Sequence, residues 1–397
     1  MTIWGGVIAI NFVYVCGFDL VKRPKTAFER EINFLFNLRR KGAQNQSHGF
    51  MDFKTTAINV LVLVALAIPG FLLVKTKLIK AGAIPFFSAV LLYVCQPFLS
   101  LQSFLKVEYS TRILAGMGWT FLFSVVTQLG LFLVLWAIFK SKFNDLEITS
   151  HLMEEGYLDG DKVATDPLLK KQITDTAKGR AYRAMVNLST FGNVGFFGVP
   201  LLTLLFPLNP EAVVYSAVYV CTMNMMGWSI GVYVLSGNKK FMSVKKALIN
   251  PPTLTLLVAL PLFFVGVTMK SMPAEVVKII GYFGDMTAPM CMIILGMRFG
   301  AQPLKSLFTD WRNYLASGVK LLVFPILVFL ILWPIPLDRM LKVTLVIMSA
   351  MPCATNTLNF AELYGGDKKT SANGILLSTL LSILTIPFIM LLLSVYK

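Results

Sequence analysis

Residues 187–206 read NLSTFGNVGFFGVPLLTLLF, and residues 346–365 read VIMSAMPCATNTLNFAELYG. Each is an apolar run long enough to cross a bilayer, whose core of about 30 Å takes about 20 helical residues. Each is also interrupted at its middle. In the first run Gly192, Gly195, Gly198 and Pro200 fall within nine residues, beside Asn193. In the second, Pro352, Thr355, Asn356, Thr357 and Asn359 fall within eight. Proline removes a backbone donor and clashes with the turn before it, leaving carbonyls free. Lipid tolerates such a break only where protein or a water-filled cavity receives the freed groups. Kinks and close helix packing explain many single breaks of this kind. A matched pair in two halves of one chain points instead to a transporter binding site at the bilayer midplane. Half-helix N-termini carry free N–H groups and partial positive charge, which suit a carboxylate. The candidate substrate-binding residues are therefore Asn193, Gly195, Gly198, Pro200, Pro352, Thr355, Asn356 and Asn359.

The rest of the chain has the same character. Hydrophobic residues make up 56% of the 397 and charged residues 14%, against about 25% charged in soluble domains. A β-barrel is excluded, because its strands are short and alternate in polarity. Eight further apolar runs lie at roughly 56–75, 82–105, 113–139, 212–235, 252–269, 276–298, 313–334 and 372–395, which brings the expected spans to ten. A shorter apolar stretch, 3–18, precedes them and ends at Asp19.

Loop charge sets the orientation. The loops after spans one, three, five, seven and nine hold three, eight, four, three and two basic residues, while the opposite side holds seven from span two onward. The positive-inside rule puts the richer side in the cytoplasm and the C-terminus outside. Eight basic residues within 19–54, Lys22 to Lys54, oppose this assignment. Residues 1–50 are read as an accessory N-terminal helical segment or as a product of start-site choice, since Met51 opens a segment resembling a natural start.

The expected fold class is an all-α, multi-pass integral membrane protein of the plasma or inner membrane. Ten transmembrane helices divide into two inverted five-helix repeats, because an odd number of spans reverses the second half. The repeats are 51–236, with a cytoplasmic loop at 141–182, and 251–397, joined by a cytoplasmic linker at 237–250. The net charge of +16 sits in loops, so lipid is a partner and nucleic acid is not. His48 and His151 lie far apart in polar loops, and the five cysteines show no metal spacing. An enzyme, a bound metal and a cofactor are accordingly not expected.

Two charges remain inside spans. Lys320 stands in SGVKLLVFP and Asp285 in GDMTAP. An ionisable residue within a span is a functional candidate by default. Lys320 attracts an anion, couples transport to protonation, or snorkels to the interface. Asp285 has a coupling role or caps a local break before Pro289.

The segments FGNVGFFGVPLL (191–202), TAPMCMIILGMRFG (287–300) and AMPCATNTLNFAELYGGD (350–367), leading into LLSTLLSILTIP, resemble the auxin efflux carrier family. That family includes bacterial malate- and malonate-permease-like proteins. The resemblance covers roughly 55–397. It implies broken helices four and nine that cross at Pro200 and Pro352, with Asn193 and Asn356 near the substrate. It also implies a scaffold of spans one, two, six and seven, a mobile domain of the other six, elevator-like transport and a homodimer. The short 237–250 linker makes a bacterial dicarboxylate permease the nearer analogy than the plant hormone exporters. No cluster of intramembrane carboxylates suggests a sodium site. The expected function is a secondary transporter of small organic carboxylate anions. The alternatives are a membrane sensor or receptor, with 141–182 as its output, and a passive channel.

Overall fold

The computed structural model describes residues 53–143, 167–249 and 251–395. The N-terminal segment 1–50, with Cys16 and His48, lies outside the described residues, as does the part of the 141–182 insertion that holds His151. The described residues are helical throughout, with a single isolated bridge between Gly192 and Cys353 in place of any strand.

The main helices are α1 (Phe53–Ala65), α2 (Ile68–Lys75), α3 (Ala81–Leu105), α4 (Thr111–Lys142), α5 (Pro167–Thr190), α6 (Val194–Leu205) and α7 (Pro210–Ser236). They continue as α8 (Pro251–Phe264), α9 (Ala274–Asp285), α10 (Thr287–Ala301), α11 (Trp311–Leu332), α12 (Arg339–Ser349), α13 (Asn356–Tyr364) and α14 (Lys368–Leu393). Among the described residues six helical stretches are long and apolar enough to cross a membrane: α3, α4, α7, α9 with α10, α11 and α14. The protein is therefore a multi-pass membrane protein. Helix α6 and most of α8 are shorter apolar pieces, because breaks and a loop cut those stretches short.

Two boundaries differ from expectation. The insertion read as a linker at 141–182 is helical from Pro167 onward, so α5 begins well before the apolar run that it carries into the core. The stretch expected to run to 269 stops at Phe264, because Gly266 takes a φ of 75° and turns the chain away. Only glycine adopts that left-handed conformation readily.

Three helix starts, those of α11, α12 and α14, are capped by an aspartate, which satisfies N–H groups with no partner inside the helix. Asp338 accepts from the Met340 and Leu341 amides at α12, and Asp367 from the Thr370 amide at α14. Helix α7 is mostly buried and α4 mostly exposed, so α7 runs through the interior while α4 turns Leu122, Val126, Leu133 and Val134 outward. The two are tied where Ser124 Oγ lies 2.6 Å from Thr222 Oγ1. Helices α2 and α10 meet backbone to backbone. A Cβ on Gly70 would overlap the Ile293 carbonyl, and one on Gly296 the Ala67 carbonyl. Small residues allow this approach in membranes, where dispersion replaces the hydrophobic drive.

Four helices contain one widened, π-type turn: Leu91–Cys95 in α3, Val194–Gly198 in α6, Gly227–Gly231 in α7 and Val319–Val323 in α11. Such turns rotate the side chains beyond them and recur at functional sites. One of the four opens the second half of the broken run 187–206, and the other three lie in α3, α7 and α11.

Candidate functional site at the helix crossing

Helix α5 ends at Thr190 and α6 starts at Val194, while α12 ends at Ser349 and α13 starts at Asn356. The two unwound linkers run antiparallel. The Asn193 amide donates to the Pro352 carbonyl at 2.6 Å, and the Ala354 amide to the Phe191 carbonyl at 2.9 Å. The Cys353 amide donates to Ser378 Oγ of α14 at 3.0 Å. The two breaks thus satisfy much of each other's backbone, as an apolar surrounding demands. Side chains reinforce the join: Thr357 Oγ1 donates to Asn187 Oδ1 at 2.8 Å, and Asn187 Nδ2 to the Gly231 carbonyl at 2.7 Å.

A cavity of about 700 Å³ leads to this crossing. Its rim includes Ala81, Gly82, Ile249, Gln302 and Leu363, which belong to the side expected to be cytoplasmic. Further in it meets Ser88, Asn224, Arg298, Asn356 and Asn359. At its deep end one cleft runs between Gln96, Asn193, Gly195, Asn224, Thr355 and Asn356, and another between Ser88, Asn193, Cys291, Arg298 and Thr355.

The structure divides the residues singled out from the sequence. Asn193, Gly195, Thr355, Asn356 and Asn359 line the cavity or its clefts. Gly198, Pro200 and Pro352 do not. Gly198 packs on Met348 and Met351, Pro200 is buried in the first turn after the widened one, and Pro352 accepts the Asn193 amide. Their part is to shape the crossing. Asn193 accepts the Phe197 and Gly198 amides through its own carbonyl, and the residue borders both clefts.

For both intramembrane charges the structure removes the structural alternative. Lys320 does not snorkel: it is 1% exposed, and its Nζ donates to the Ser349 carbonyl at 3.0 Å. It lies behind the crossing, outside the cavity lining. Asp285 is exposed and accepts from Gln102 Nε2 at 3.4 Å. The chain does break after it, at Met286, but Asp285 caps neither piece.

The sequence reading missed four polar residues of the cavity. Arg298 looked like a loop cation at the end of its span. In the structure it is half-buried, its Nη2 donates to Asn359 Oδ1 at 3.3 Å, and its buried Nε has no hydrogen-bond partner. Asn224 accepts from Asn356 Nδ2 at 3.1 Å. Gln96 and Ser88 face the crossing from α3. Single polar residues in otherwise apolar spans were the available signal, but their facing direction was not. Among the described residues no group of His, Cys, Asp or Glu could hold a metal ion.

Two broken helices that cross at the end of a largely apolar cavity with a few polar groups mark the class: a multi-pass helical membrane protein. Residues 234–390 match the family described as membrane transport protein. The chain is also similar to an uncharacterized transporter of Methanocaldococcus jannaschii, 28% identical over 205 residues. That similarity covers 51% of this chain and 65% of the relative, so somewhat less than two thirds of the relative's length is spanned. Both findings support the resemblance to the auxin efflux carriers drawn from the motifs. The matched 234–390 segment contains Arg298, Lys320, Pro352 and Asn356.

Proposed function

We propose that this protein is a secondary carrier of small organic carboxylate anions, and that the anion binds between the helix crossing and Arg298. The observation that carries the reading is the composition of the cavity's deep end. Asn224, Arg298, Asn356 and Asn359 line the large cavity, and Asn193 and Thr355 line the narrow clefts that adjoin it, beside the N-terminal ends of α6 and α13. A carboxylate is stabilised by helix N-terminal amides, by side-chain amides and most of all by a guanidinium fork. The one acidic residue on the lining, Glu362, is exposed on the wall of the large cavity and absent from both clefts. A volume of about 700 Å³ lies within the range of small-molecule sites.

Alternating access of the elevator type fits the packing. Helix α2 packs on α10, and α3 on α8 and α9, which groups the helices expected to form a scaffold. Ser88 and Arg298 reach the cavity from that group, and Asn193, Asn224 and Asn356 from the remaining helices. A site between these two groups would lie on the boundary across which an elevator slides. Ten spans in two inverted repeats agree with the shared break in α5–α6 and α12–α13. A homodimer in the plasma or inner membrane completes the proposal.

Counterflow in proteoliposomes tests it. Vesicles are loaded in turn with unlabelled malate, malonate, succinate or indole-3-acetate, and entry of the labelled acid is followed. Asn193→Ala and Asn356→Ala should lose counterflow while remaining folded. Absence of counterflow with every acid, in folded protein, would overturn the carrier reading in favour of a sensor. Flux without exchange acceleration would indicate a channel.

A further inference from the structure

Charge is scarce around the proposed anion site. Among the described residues, the lining of the cavity and its two clefts holds one cation, Arg298, and one carboxylate, Glu362. The two are neighbours. Glu362 acts electrostatically on the Arg298 charge, while the hydrogen bond from Arg298 Nη2 goes to Asn359 Oδ1 at 3.3 Å. Asn359 and Glu362 stand three residues apart on α13, hence on one face and about 4.5 Å apart along its axis. From the crossing toward the rim, α13 thus presents Asn356, Asn359, Glu362 and Leu363 to the cavity in turn. The opposing wall offers no further charge among the described residues. It is made of Leu92, Phe196 and the Trp228–Phe360 pair, whose ring centroids are 4.8 Å apart. Lys320 is engaged elsewhere, with the Ser349 carbonyl, and lies outside the lining.

This arrangement balances one carboxylate and not two. Arg298 supplies a full positive charge, and the N-terminal ends of α6 and α13 supply about half a charge each. Glu362 offsets about one of these, so the site as a whole is close to singly positive. A first carboxylate on Arg298 consumes that charge. A second one, a few carbons away on the same molecule, finds no guanidinium or ammonium of its own. It meets either the apolar wall, where an unpaired carboxylate is costly, or Glu362, which repels it. We propose that Glu362 is a charge filter, a specificity-determining residue that admits carboxylic acids bearing a single negative charge and rejects dianions. The inference rests on the anion site proposed above and narrows its substrate class to monoanionic carboxylates. Discrimination then comes from a built-in repulsion against the wrong ligand as well as from attraction to the right one.

The test compares acids of one shape and different charge: succinate with its monoamide succinamate, and malonate with malonamate. Binding to the full chain in detergent is read from the rise of the heat-unfolding midpoint with acid concentration, and counterflow is measured in proteoliposomes with the same acids. Wild type should bind each monoamide about 10-fold more tightly than the matching diacid at neutral pH, a factor limited by the water that screens exposed Glu362. Glu362→Gln should bring each pair within about threefold, chiefly by improving the diacid, and Glu362→Asp should keep most of the wild-type preference. Glu362 is exposed, so both variants should unfold at the wild-type midpoint when no acid is present. A wild type that binds the diacids as tightly as the monoamides, or more tightly, would overturn the proposal without need of any variant. So would a preference that Glu362→Gln leaves unchanged, or folded protein that binds none of the four acids. Selective binding without counterflow would instead overturn the carrier reading and leave the charge filter standing.

Discussion

Replacing Arg298 by glutamine tests the binding site most directly. The guanidinium is half-buried and engages Asn359 Oδ1 at 3.3 Å, with Nε unpaired. An arriving carboxylate would exchange one long bond to a neutral amide for a charge-assisted contact. Two unit charges about 4 Å apart at an effective dielectric of about 20 attract by about 4 kcal/mol. Half-exposure and desolvation of both groups reduce this, and measured bonds to charged partners contribute about 1.5–3 kcal/mol. Arg298→Gln should therefore weaken apparent affinity by about 10- to 150-fold. Arg298→Lys should recover part of the loss, since it keeps the charge but not the planar fork. The assay is concentration-dependent counterflow, with the unfolding midpoint as a check on folding. An Arg298→Gln protein of wild-type stability and unchanged KM for every transported acid would refute the reasoning and move the anion away from α10.

Two other substitutions probe different parts of the fold. Gly296→Val would drive a side chain into the Ala67 carbonyl and the Phe71 amide of the α2 region; overpacking of this kind costs about 1–3 kcal/mol, so the unfolding midpoint should drop, and an unchanged midpoint would contradict the α2–α10 contact. Asp285→Asn should leave transport rate and its pH profile within about twofold of wild type, because Asp285 is exposed, absent from the cavity lining, and engaged only by a long bond from Gln102 and the charge of Lys106; a tenfold loss of rate would mark it as a coupling residue.

Much of this protein is legible in its sequence. A membrane helix satisfies its backbone within its own turns, so its presence is a local property readable from a window of about 20 residues. Helices accordingly occupy each apolar run from residue 53 onward. The breaks at 191–193 and 350–355 were readable for the same reason to within a few residues, because Pro and Gly act on the turns around them. The pairing of those breaks also led to Asn356 and Asn359, which stand on the cavity wall, and to Asn193 and Thr355, which stand on the clefts beside it.

Only the tertiary structure decided which way the remaining polar side chains face. Arg298 stands in the last turn of its helix, where a count of loop charges assigns it to topology, yet it turns inward toward Asn359. Lys320 is close enough to a helix end to snorkel, yet it reaches the crossing from within a widened turn. Asp285 has a sequence setting that looks as deeply placed as that of Lys320, and it faces outward. Hydropathy measures whether a segment enters lipid and carries no information on rotation about the helix axis. That rotation is set by contacts such as Gly296 against the Ala67 backbone, and by single extra residues in turns. These depend on residues distant in the chain, so the membrane class was written locally while the cavity and its two inward cations were settled by packing.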